Sequence, residues 1–573
     1  MTTLPTPRDS RKDWLAVLLL CALLMLPNLL WLWYYHSLPV WIEGFVFPVV
    51  LLLVFFALFG DVPWLGCLLL TPFALLAPME AYFVSRYQHP TSAEVIATLM
   101  ATNPNEAREY LGTSLIPLAV ILLSSTMLSL GCAWRCFRVR LRWRNSFRTW
   151  TLVIAVATPL AAAGVAAITD REASQKPTHG TLNLGPMLSG TIALGYPFGV
   201  VERIATYHSE WISMRADAAK LDAYRFGAHL VTLKPQRQVY VLVIGESSRR
   251  DHWQLFGYSR PTNPELSHMT NLVPITHMVT SWPESIDAIP LIITRKPITN
   301  RSIAFGQASI LRAMQEAGYE TFWISNQLAI GYFDSPIAVY AYEAQHVEWL
   351  NHSSWNAPGS YDGNLLQPLH NALSNTQGNL FIVLHMMGSH LQYDFRYPDK
   401  FKQFKPTWSD SISQVPNGVR LQNSYDNTIL YTDHVLAAII DTLRKSDAIS
   451  ALWYESDHGE MLITPTCDQG GHGIGTKYEY EIPALFWYSD AYATNFPDRL
   501  STLRSNAEKR TLSTSTFPSL TDMAGVDFPG HDETLSLFSP SWRYRPRIVN
   551  SSMWSVDFDK ATIGKKCPIV LPQ

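Results

Sequence analysis

The sequence is poor in charge and in cysteine for its length. Only 16% of its 573 residues are charged, and the formal net charge is −3. A balance so close to neutral excludes the broad basic surface that nucleic-acid binding requires. The chain has 6 cysteines, too few for a disulfide-rich secreted scaffold. It also lacks internal repeats and low-complexity tracts, which excludes a solenoid and a compositionally disordered protein.

Charge is absent above all from long apolar runs near the N-terminus. Residues 14–34 carry no charge over the ~20 residues that a spanning helix needs. Similar runs follow at 40–59, 63–85, 114–134 and 149–168. The first run is too long for a signal peptide and lacks a small-residue cleavage site. We therefore predict a transmembrane bundle of five helices, the first of them a retained anchor.

Acidic residues are missing from the segment between the fourth and fifth runs. It contains six arginines, namely Arg135, Arg138, Arg140, Arg142, Arg144 and Arg148. The positive-inside rule places this segment and the N-terminus in the cytoplasm. We expect a transmembrane domain over 1–169, a linker with an amphipathic bridging helix over 170–235, and an exported domain over 236–573. Of the cysteines, only Cys467 and Cys567 lie in that domain, and whether they form a bridge is left open.

From Val239 onward, short apolar strands alternate with helical patterns, which is typical of an α/β domain. Polar residues follow five of these strands: Glu246, Asn326 with Gln327, His385, Asp457 with His458 and Glu460, and Asp490. In doubly wound sheets, ligands bind outside the carboxyl ends of the strands. We expect Glu246, His385, Asp457 and His458 to meet there, although ordinary polar turns would leave the same residues. Carboxylates with imidazoles suit zinc and phosphate chemistry.

Four motifs together carry a resemblance to a known family. "VIGESSRRDHWQLFGYSRPTNPEL", "HMMGSH", "YDNTILYTD" and "SDHGE" resemble the motifs of bacterial phosphoethanolamine transferases, membrane enzymes of the alkaline phosphatase and sulfatase superfamily. The resemblance implies five N-terminal spans in the bacterial inner membrane. It also implies a periplasmic α/β sulfatase-like domain with a central, mostly parallel sheet flanked by helices.

The resemblance also implies a reaction. A zinc-activated Ser or Thr takes phosphoethanolamine from phosphatidylethanolamine, and the group passes to an envelope glycan, either lipopolysaccharide or a periplasmic glucan. A phosphoglycerol transferase or an ester hydrolase of the same superfamily is the nearest alternative. A membrane-anchored binding protein without catalysis is a third hypothesis. The acceptor and the head group cannot be inferred from the sequence.

The motif matches assign roles to individual residues. Glu246, Asp457 and His458 would bind zinc together with a nucleophile in "VTSWPESIDAIP". Ser285 fits the family's register best, with Thr280 and Ser281 as competitors. The further catalytic or substrate-binding candidates are His390, His472, His385 and Asn326, of which His385 is equally compatible with a buried structural histidine.

Two features of the N-terminal part are candidates for contact with the lipid. Asn105 and Glu106, in "ATNPNEAREYL", are similar to a family segment and would hold the ethanolamine ammonium, with helix capping by Asn as the competing account. Glu80 lies near the outer end of the third apolar run, where an acid is costly and marks a functional site, unless it reaches the interface.

Overall fold

The structure is a computed structural model. It describes residues 10–34, 36, 38–87, 90–91, 96, 115–158, 195–300, 306–329, 335–351, 360–410, 415–467, 469–551 and 554–572. Two compact units divide the chain, Met1–Ser209 and Glu210–Gln573. The boundary falls within a single helix, Gly199–Asp222, which overlaps the predicted bridging helix.

The N-terminal unit is helical throughout its described part. Its helices are α1 (Ser10–Tyr34), α2 (Leu38–Trp41), α3 (Phe47–Leu58), α4 (Pro63–Leu69), α5 (Thr71–Tyr87), α6 (Leu115–Arg138), α7 (146–158) and α8 (Gly199–Asp222). A π-helical segment, Ile42–Val46, joins α2 to α3. Buried apolar side chains of α1, α5 and α6 form its core. Other large apolar side chains remain exposed, such as Ile116 at 74%, which suits a surface that faces lipid.

The prediction of five spans is met only in part. Among the described residues, Trp14–Tyr34 and Ile116–Arg138 are long and apolar enough to cross a membrane. The run at 63–85 adds a third span if Pro63–Leu69 and Thr71–Ser85, bent by 45°, are counted together; Pro72 lacks the N–H that would continue the helix through the bend. The run at 40–59 gives the shorter apolar helix Ile42–Leu58, and the run at 149–168 extends past the described residues.

The C-terminal unit contains a sheet of seven strands in the order β3-β9-β8-β2-β7-β5-β6. These strands are β2 (Gln238–Gly245), β3 (Leu272–Ile275), β5 (Glu320–Ser325), β6 (His346–Trp349), β7 (Leu380–His385), β8 (Ile449–Ser456) and β9 (Ala484–Tyr488). β9 runs antiparallel to both of its neighbours, while the pairings among β8, β2, β7, β5 and β6 are parallel. The sheet is therefore mixed but mostly parallel.

The shorter strands form separate two-stranded pairs. They are β1 (His229–Leu230), β4 (His277–Val279), β10 (Arg510–Leu512), β11 (Val526–Asp527), β12 (Ile548–Asn550), β13 (Ser555–Asp557), β14 (Thr562–Ile563) and β15 (Val570–Leu571). The helices of this unit are α9 (Ser285–Ile293), α10 (Ile310–Glu316), α11 (Ser335–Ala341), α12 (Leu366–Asn375), α13 (Asn417–Arg444), α14 (Lys477–Tyr480), α15 (Asp490–Asn495), α16 (Pro497–Asn506) and α17 (Thr516–Ala524).

Burial on both faces explains the composition of the central strands. All residues of β2, β7 and β8 are buried, as expected for parallel strands covered by helices on both sides. Val239, Val241 and Val243 of β2 share one apolar core with side chains of α12 and α13. The sheet is thus a rigid support for the polar residues that follow its strands.

The direction of β9 corrects one expectation. Asp490 follows β9 and was grouped with the other polar strand ends, but the antiparallel direction of β9 puts its carboxyl end at the opposite edge of the sheet. A fully buried apolar strand has no sequence feature that reveals its direction. Asp490 instead begins α15, where Ser489 caps the helix.

A disulfide joins Cys467 to Cys567, with their Cα atoms 4.9 Å apart. The pairing that the sequence left open is therefore present. It fastens the C-terminal segment to the loop that follows β8. Backbone hydrogen bonds from Lys477 to Pro568 and from Val570 to Gly475, both of 2.9 Å, reinforce the same attachment.

Candidate metal-binding active site

Two adjacent strands bring the predicted metal ligands together. Gly245 at the end of β2 is in register with Ser456 at the end of β8. Glu246 follows the first strand, and Asp457 and His458 follow the second. All three side chains are buried, and their ligand atoms lie within 4.8 Å of one another. The close approach follows from parallel neighbouring strands that end at the same level.

Ser285 contacts this cluster directly. It is the first residue of α9, and its Oγ lies 3.1 Å from Oε2 of Glu246 and 3.2 Å from Nε2 of His458. Among the described residues, no hydrogen bond joins either of its two competitors to the cluster. The hydroxyl of Thr280 donates to the carbonyl of Trp282, and the buried hydroxyl of Ser281 has no hydrogen-bond partner among the described residues. Of the three hydroxyls, the structure brings Ser285 to the carboxylates.

The electrostatics of the cluster call for a cation. Burial, followed by the charge of Asp457, raises the pKa of Glu246 well above its usual range. Burial also opposes ionisation of Asp457, but the charge of His458 and several hydrogen bonds outweigh it and lower the pKa of Asp457. Its Oδ2 has no hydrogen-bond partner among the described residues. Two buried carboxylates side by side are unfavourable without a compensating charge.

The donor set fits zinc. Two carboxylates and one imidazole are ordinary ligands of Zn²⁺, and three protein ligands leave a fourth position open, as in catalytic zinc sites. The unsatisfied Oδ2 of Asp457 would be satisfied by such an ion. The residues present therefore fit a zinc site formed by Glu246, Asp457 and His458, with Ser285 beside it.

The backbone around Glu246 is held by the turn that follows β7. The amide of Ser389 donates to the carbonyl oxygen of Glu246 at 2.9 Å. Gly388 has a φ of +52°, and a Cβ placed there would lie 2.7 Å from the same carbonyl oxygen. Only glycine allows this approach, which explains the glycine of "HMMGSH". Asp362 accepts hydrogen bonds from the amides of Met387 and Gly388 and fixes the turn.

His472 belongs to a second, overlapping group of ligand atoms formed with His458 and Glu460. Its Nδ1 lies 3.2 Å from Oε2 of Glu460, and its ring centroid lies 4.5 Å from that of His458. Burial and the neighbouring His458 lower the pKa of His472, but the hydrogen bond and charge of Glu460, together with the charge of Glu246, outweigh them, so that the pKa is raised. The sequence singled out His472 but gave no role to Glu460, its partner in the structure.

The two remaining candidate histidines, His385 and His390, lie at the end of β7 and in the turn that follows it. The ring of His390 is 6.2 Å from that of His472, and desolvation lowers its pKa to about 3, which keeps it neutral. His385 ends β7 and is buried, with its Nδ1 3.3 Å from the hydroxyl of Ser325. Burial lowers its pKa to about 4. The role of each in binding substrate stays a prediction.

Asn326 is close to the site but its side chain turns to another partner. Its amide nitrogen donates to Asp362 at 2.8 Å and to the carbonyl of Ser360 at 3.2 Å. Its predicted contact with substrate stays a prediction. The next residue, Gln327, was named from the sequence only as a residue that follows a strand and was given no role. Its Nε2 lies 3.4 Å from Oε2 of Glu246 and 3.0 Å from the carbonyl of Met386.

Helix α13 carries the motif "YDNTILYTD", which contacts the motif that begins in β2. The hydroxyl of Tyr425 donates to the carbonyl of Ser247 at 2.7 Å and accepts from the amide of Arg249 at 2.8 Å. Asp426 lies 2.6 Å from the ring of His252. The "YDNTILYTD" segment therefore holds the loop after β2 in place from behind. Its residues act on the site through that loop.

In the N-terminal unit, Glu80 is buried and paired. Its carboxylate accepts from the amide and hydroxyl of Thr91 at 3.0 and 2.6 Å, and it lies 3.2 Å from the guanidinium of Arg203. The ion pair with Arg203 thus explains how the carboxylate of Glu80 can be buried within the unit. Asn105 and Glu106 lie outside the described residues.

Comparison with known proteins agrees with this geometry. Residues 238–526, half of the chain, match the Sulfatase family model, and residues 49–179 match the model for Phosphoethanolamine transferase EptA/EptB. Phosphoethanolamine transferase EptC of Escherichia coli (strain K12) is 30% identical over 56% of this chain. The match spans 58% of that relative's own length.

Two further matches extend the comparison. Phosphoethanolamine transferase EptA of Salmonella typhimurium is 27% identical over 76% of this chain and 78% of that protein. A crystal structure of the C-terminal periplasmic domain of EcEptC from Escherichia coli, in complex with Zn, is 27% identical with a TM-score of 0.54. It covers 60% of this chain and 99% of that one. The chain therefore belongs to the Sulfatase family.

Proposed function

We propose that this protein is a zinc-dependent phosphoethanolamine transferase in which Ser285 forms a covalent intermediate. The observation that carries the proposal is the position of the Ser285 hydroxyl, 3.1 Å from Glu246 and 3.2 Å from His458. A serine hydroxyl is a poor nucleophile at neutral pH unless a neighbouring group stabilises its alkoxide. The names of the curated relatives support this choice of transferred group.

Zinc would be held by Glu246, Asp457 and His458. When bound there, it would supply the positive charge that favours the alkoxide form of Ser285 and neutralises charge on a phosphoryl group. The zinc complex of the Escherichia coli domain supports the choice of metal. The start of α9 adds backbone N–H groups and the positive end of a helix dipole at the position of Ser285.

The covalent step begins with attack by the Ser285 oxygen on the phosphorus of phosphatidylethanolamine. The new Ser285 O–P bond replaces the P–O bond to diacylglycerol, which leaves and takes up a proton. We assign delivery of that proton to His472, because Glu460 holds its ring beside His458. We assign to His390, which stays neutral, a hydrogen bond to the phosphoryl oxygens.

The second step returns the enzyme to its starting state. A hydroxyl of the acceptor attacks the same phosphorus, and the Ser285 O–P bond breaks to restore the Ser285 alkoxide. The proton of the acceptor hydroxyl passes to His472, which gave up its own proton in the first step. The acceptor is an envelope glycan. A Salmonella typhimurium relative named Kdo(2)-lipid A phosphoethanolamine 7''-transferase, 24% identical over 76% of this chain, favours a lipopolysaccharide acceptor over a periplasmic glucan.

The N-terminal part would place the reaction at the outer face of the inner membrane. We propose a membrane domain over 1–169, a linker over 170–235 and a periplasmic catalytic domain over 236–573. The six arginines between residues 135 and 148 would keep their segment in the cytoplasm. Asn105 and Glu106 are proposed to bind the ethanolamine ammonium of the donor lipid.

Labelled donor lipids test the proposal. Membranes that contain the protein are incubated with phosphatidylethanolamine or phosphatidylglycerol labelled in the acyl chains, and labelled diacylglycerol is measured. Release from phosphatidylethanolamine alone is the expected result. Preferential release from phosphatidylglycerol would instead identify a phosphoglycerol transferase, and release from neither lipid would contradict both.

A further inference from the structure

The C-terminal unit contains a cavity of about 420 Å³ beyond the end of α9, lined by cationic and apolar side chains. Its cationic lining residues come from three separate segments of the chain and are Arg295, Lys296, Arg510, Arg543 and Arg545. Asp532 is the single acid among its described lining residues. None of these residues belongs to the motifs of the zinc site, so the cavity has no part in the mechanism above.

Lys296 is the least expected of these residues. It is only 3% exposed, and its Nζ has no hydrogen-bond partner among the described residues. Burial lowers its pKa, while the charge of Asp287 opposes this effect. A buried ammonium without a partner destabilises a folded protein. An anion in the cavity would remove that penalty.

The other charges of the cavity leave an excess of positive charge. Arg295 donates to the hydroxyl of Tyr224 and the carbonyl of Gly530, which are neutral. Asp532 is already engaged with the amide and hydroxyl of Thr534 and lies 3.8 Å from Arg545. Arg510 lies 3.3 Å from Asp559. In the described part of the chain, Arg543 forms no ion pair. A buried ammonium without a hydrogen-bond partner and a guanidinium without an ion pair, both among the described residues, therefore face one cavity, and Asp287 is the acid whose charge acts on Lys296.

The remaining walls define the kind of anion that fits. Phe517, Phe528 and Trp542 contribute aromatic surface beside the cations. The volume lies within the range typical of small-molecule sites, which combine apolar walls with a few placed polar groups. Lysine and arginine together suit a phosphate group, since guanidinium and ammonium donate charge-assisted hydrogen bonds to its oxygens.

We propose that this cavity binds a phosphate ester through Lys296 and Arg543, at a site separate from the zinc centre. The nine residues of α9 separate Ser285 from the cavity by about 14 Å at 1.5 Å per residue. The bound phosphate is therefore not the one that reacts. A phosphorylated sugar of the acceptor and the head group of a membrane phospholipid share this chemistry, and binding measurements distinguish them.

Equilibrium binding to the full-length protein in detergent tests this site. Labelled glucose 1-phosphate is the probe, and an Asp457→Asn background disables the zinc centre as a competing phosphate site. Lys296→Met keeps the length of the side chain and removes its charge, and Lys400→Met, an exposed lysine beside Phe401, is the matched control. We expect Lys296→Met to weaken binding by about tenfold or more, Arg543→Gln to weaken it less, and Lys400→Met to leave it unchanged.

Thermal unfolding separates a binding role from a structural one. Without ligand, Lys296→Met should unfold at the same temperature as the parent protein or higher, because it removes an unpaired buried charge. Glucose 1-phosphate should raise the unfolding temperature of the parent and not that of Lys296→Met. Displacement of the labelled probe by soluble dihexanoyl phosphatidylglycerol at a lower concentration than by unlabelled glucose 1-phosphate would assign the site to a lipid head group.

Two results would overturn the proposal: no saturable binding of either phosphate ester in the Asp457→Asn background, or equal binding in Lys296→Met and Lys400→Met. Neither outcome depends on transfer activity. A failure of the phosphoethanolamine transferase function, seen as absence of diacylglycerol release, is thus distinguishable from a failure of this site.

Discussion

The backbone N–H of Ser247 donates a hydrogen bond to Oδ1 of Asp457 at 3.1 Å, although 210 residues separate them in sequence. Ser247 also donates from its hydroxyl to Oε1 of Glu246 at 2.7 Å. One residue with a left-handed φ of +54° therefore orients two proposed zinc ligands. The arrangement depends on β2 and β8 lying side by side, and on the turns that hold the chain after each strand.

Substitution of Gly388 tests how precisely Glu246 must be held. Gly388→Ala places a Cβ 2.7 Å from the carbonyl oxygen of Glu246 at a positive φ, so the turn after β7 must shift. We expect a loss of at least about 1 kcal/mol of stability and a reduced zinc content. Thermal unfolding and metal analysis of the purified protein measure both effects.

Gly378→Ala is the matched control, because a Cβ at Gly378 meets nothing within 4 Å. This variant should keep the zinc content and activity of the wild type. Equal stability and equal zinc content in the two glycine variants would show that the metal site does not depend on the close contact between Gly388 and Glu246.

Removal of one carboxylate tests the metal site. Asp457→Asn keeps the shape of the side chain but removes its charge, so we expect zinc content and transfer to fall by more than tenfold. The fold should persist because the side-chain oxygen of Asn can still accept from the backbone N–H groups of Ser247 and His458, which donate to Oδ1 of Asp457. Asp441→Asn, at an exposed ion pair with Arg444, is the control and should retain both properties. Full zinc occupancy in Asp457→Asn would exclude Asp457 as a ligand.

Asp433 predicts a pH dependence of stability that is unrelated to catalysis. Burial raises its pKa to about 7, above about 3.9 in an unfolded chain. Between these pH values the folded protein holds a proton that the unfolded chain has lost, so the contribution of Asp433 to stability falls as the pH rises. Between about pH 5 and about pH 7.5, the unfolding temperature of the wild type should therefore fall more than that of Asp433→Asn.

In the wild type the amides of Glu265 and Leu266 donate to Oδ2 and Oδ1 of Asp433 at 2.9 and 3.1 Å. The Asn variant keeps one of these two acceptor oxygens. It cannot titrate. Identical pH profiles for the two proteins would show that Asp433 is already ionised throughout this range.

The disulfide predicts a dependence of stability on redox conditions. Cys467 and Cys567 are 100 residues apart, and closing a loop of that size stabilises a protein by about 4 to 5 kcal/mol in the chain-entropy model. We expect Cys467→Ser to lower the unfolding temperature in oxidising buffer. Reductant should lower that of the wild type and leave the variant unchanged. Insensitivity of the wild type to reductant would mean that the bridge contributes nothing.

The sequence was sufficient to predict that the residues directly after two strands meet at one edge of the sheet, while their role as zinc ligands stays a prediction. Glu246, Asp457 and His458 could be predicted because a continuous apolar run that ends in a polar residue marks the edge of a parallel sheet. Ser285 required the family resemblance, since the loop offers Thr280 and Ser281 as well. The structure brings Ser285 alone of the three to Glu246.

Other parts of the site could not be predicted, for physical reasons. The pairing of Glu460 with His472 depends on how the loop after β8 folds, and no periodicity marks it. Gln327 approaches Glu246 only because β5 pairs with β7. The antiparallel direction of β9, which carries Asp490 away from the site, is set by its neighbours β3 and β8 and leaves no trace in an apolar sequence.

The central claim is that Ser285 is the residue that becomes covalently modified. The full-length protein is incubated with a phosphatidylethanolamine analogue whose head group is transferred to the enzyme but cannot be passed on to an acceptor. The modified peptide is then mapped by mass spectrometry. The account predicts a phosphoethanolamine adduct on Ser285, absent from Ser285→Ala, with Ser281→Ala modified as in the wild type. An adduct on Thr280 or Ser281 with Ser285 unmodified, or full turnover by Ser285→Ala, would contradict it.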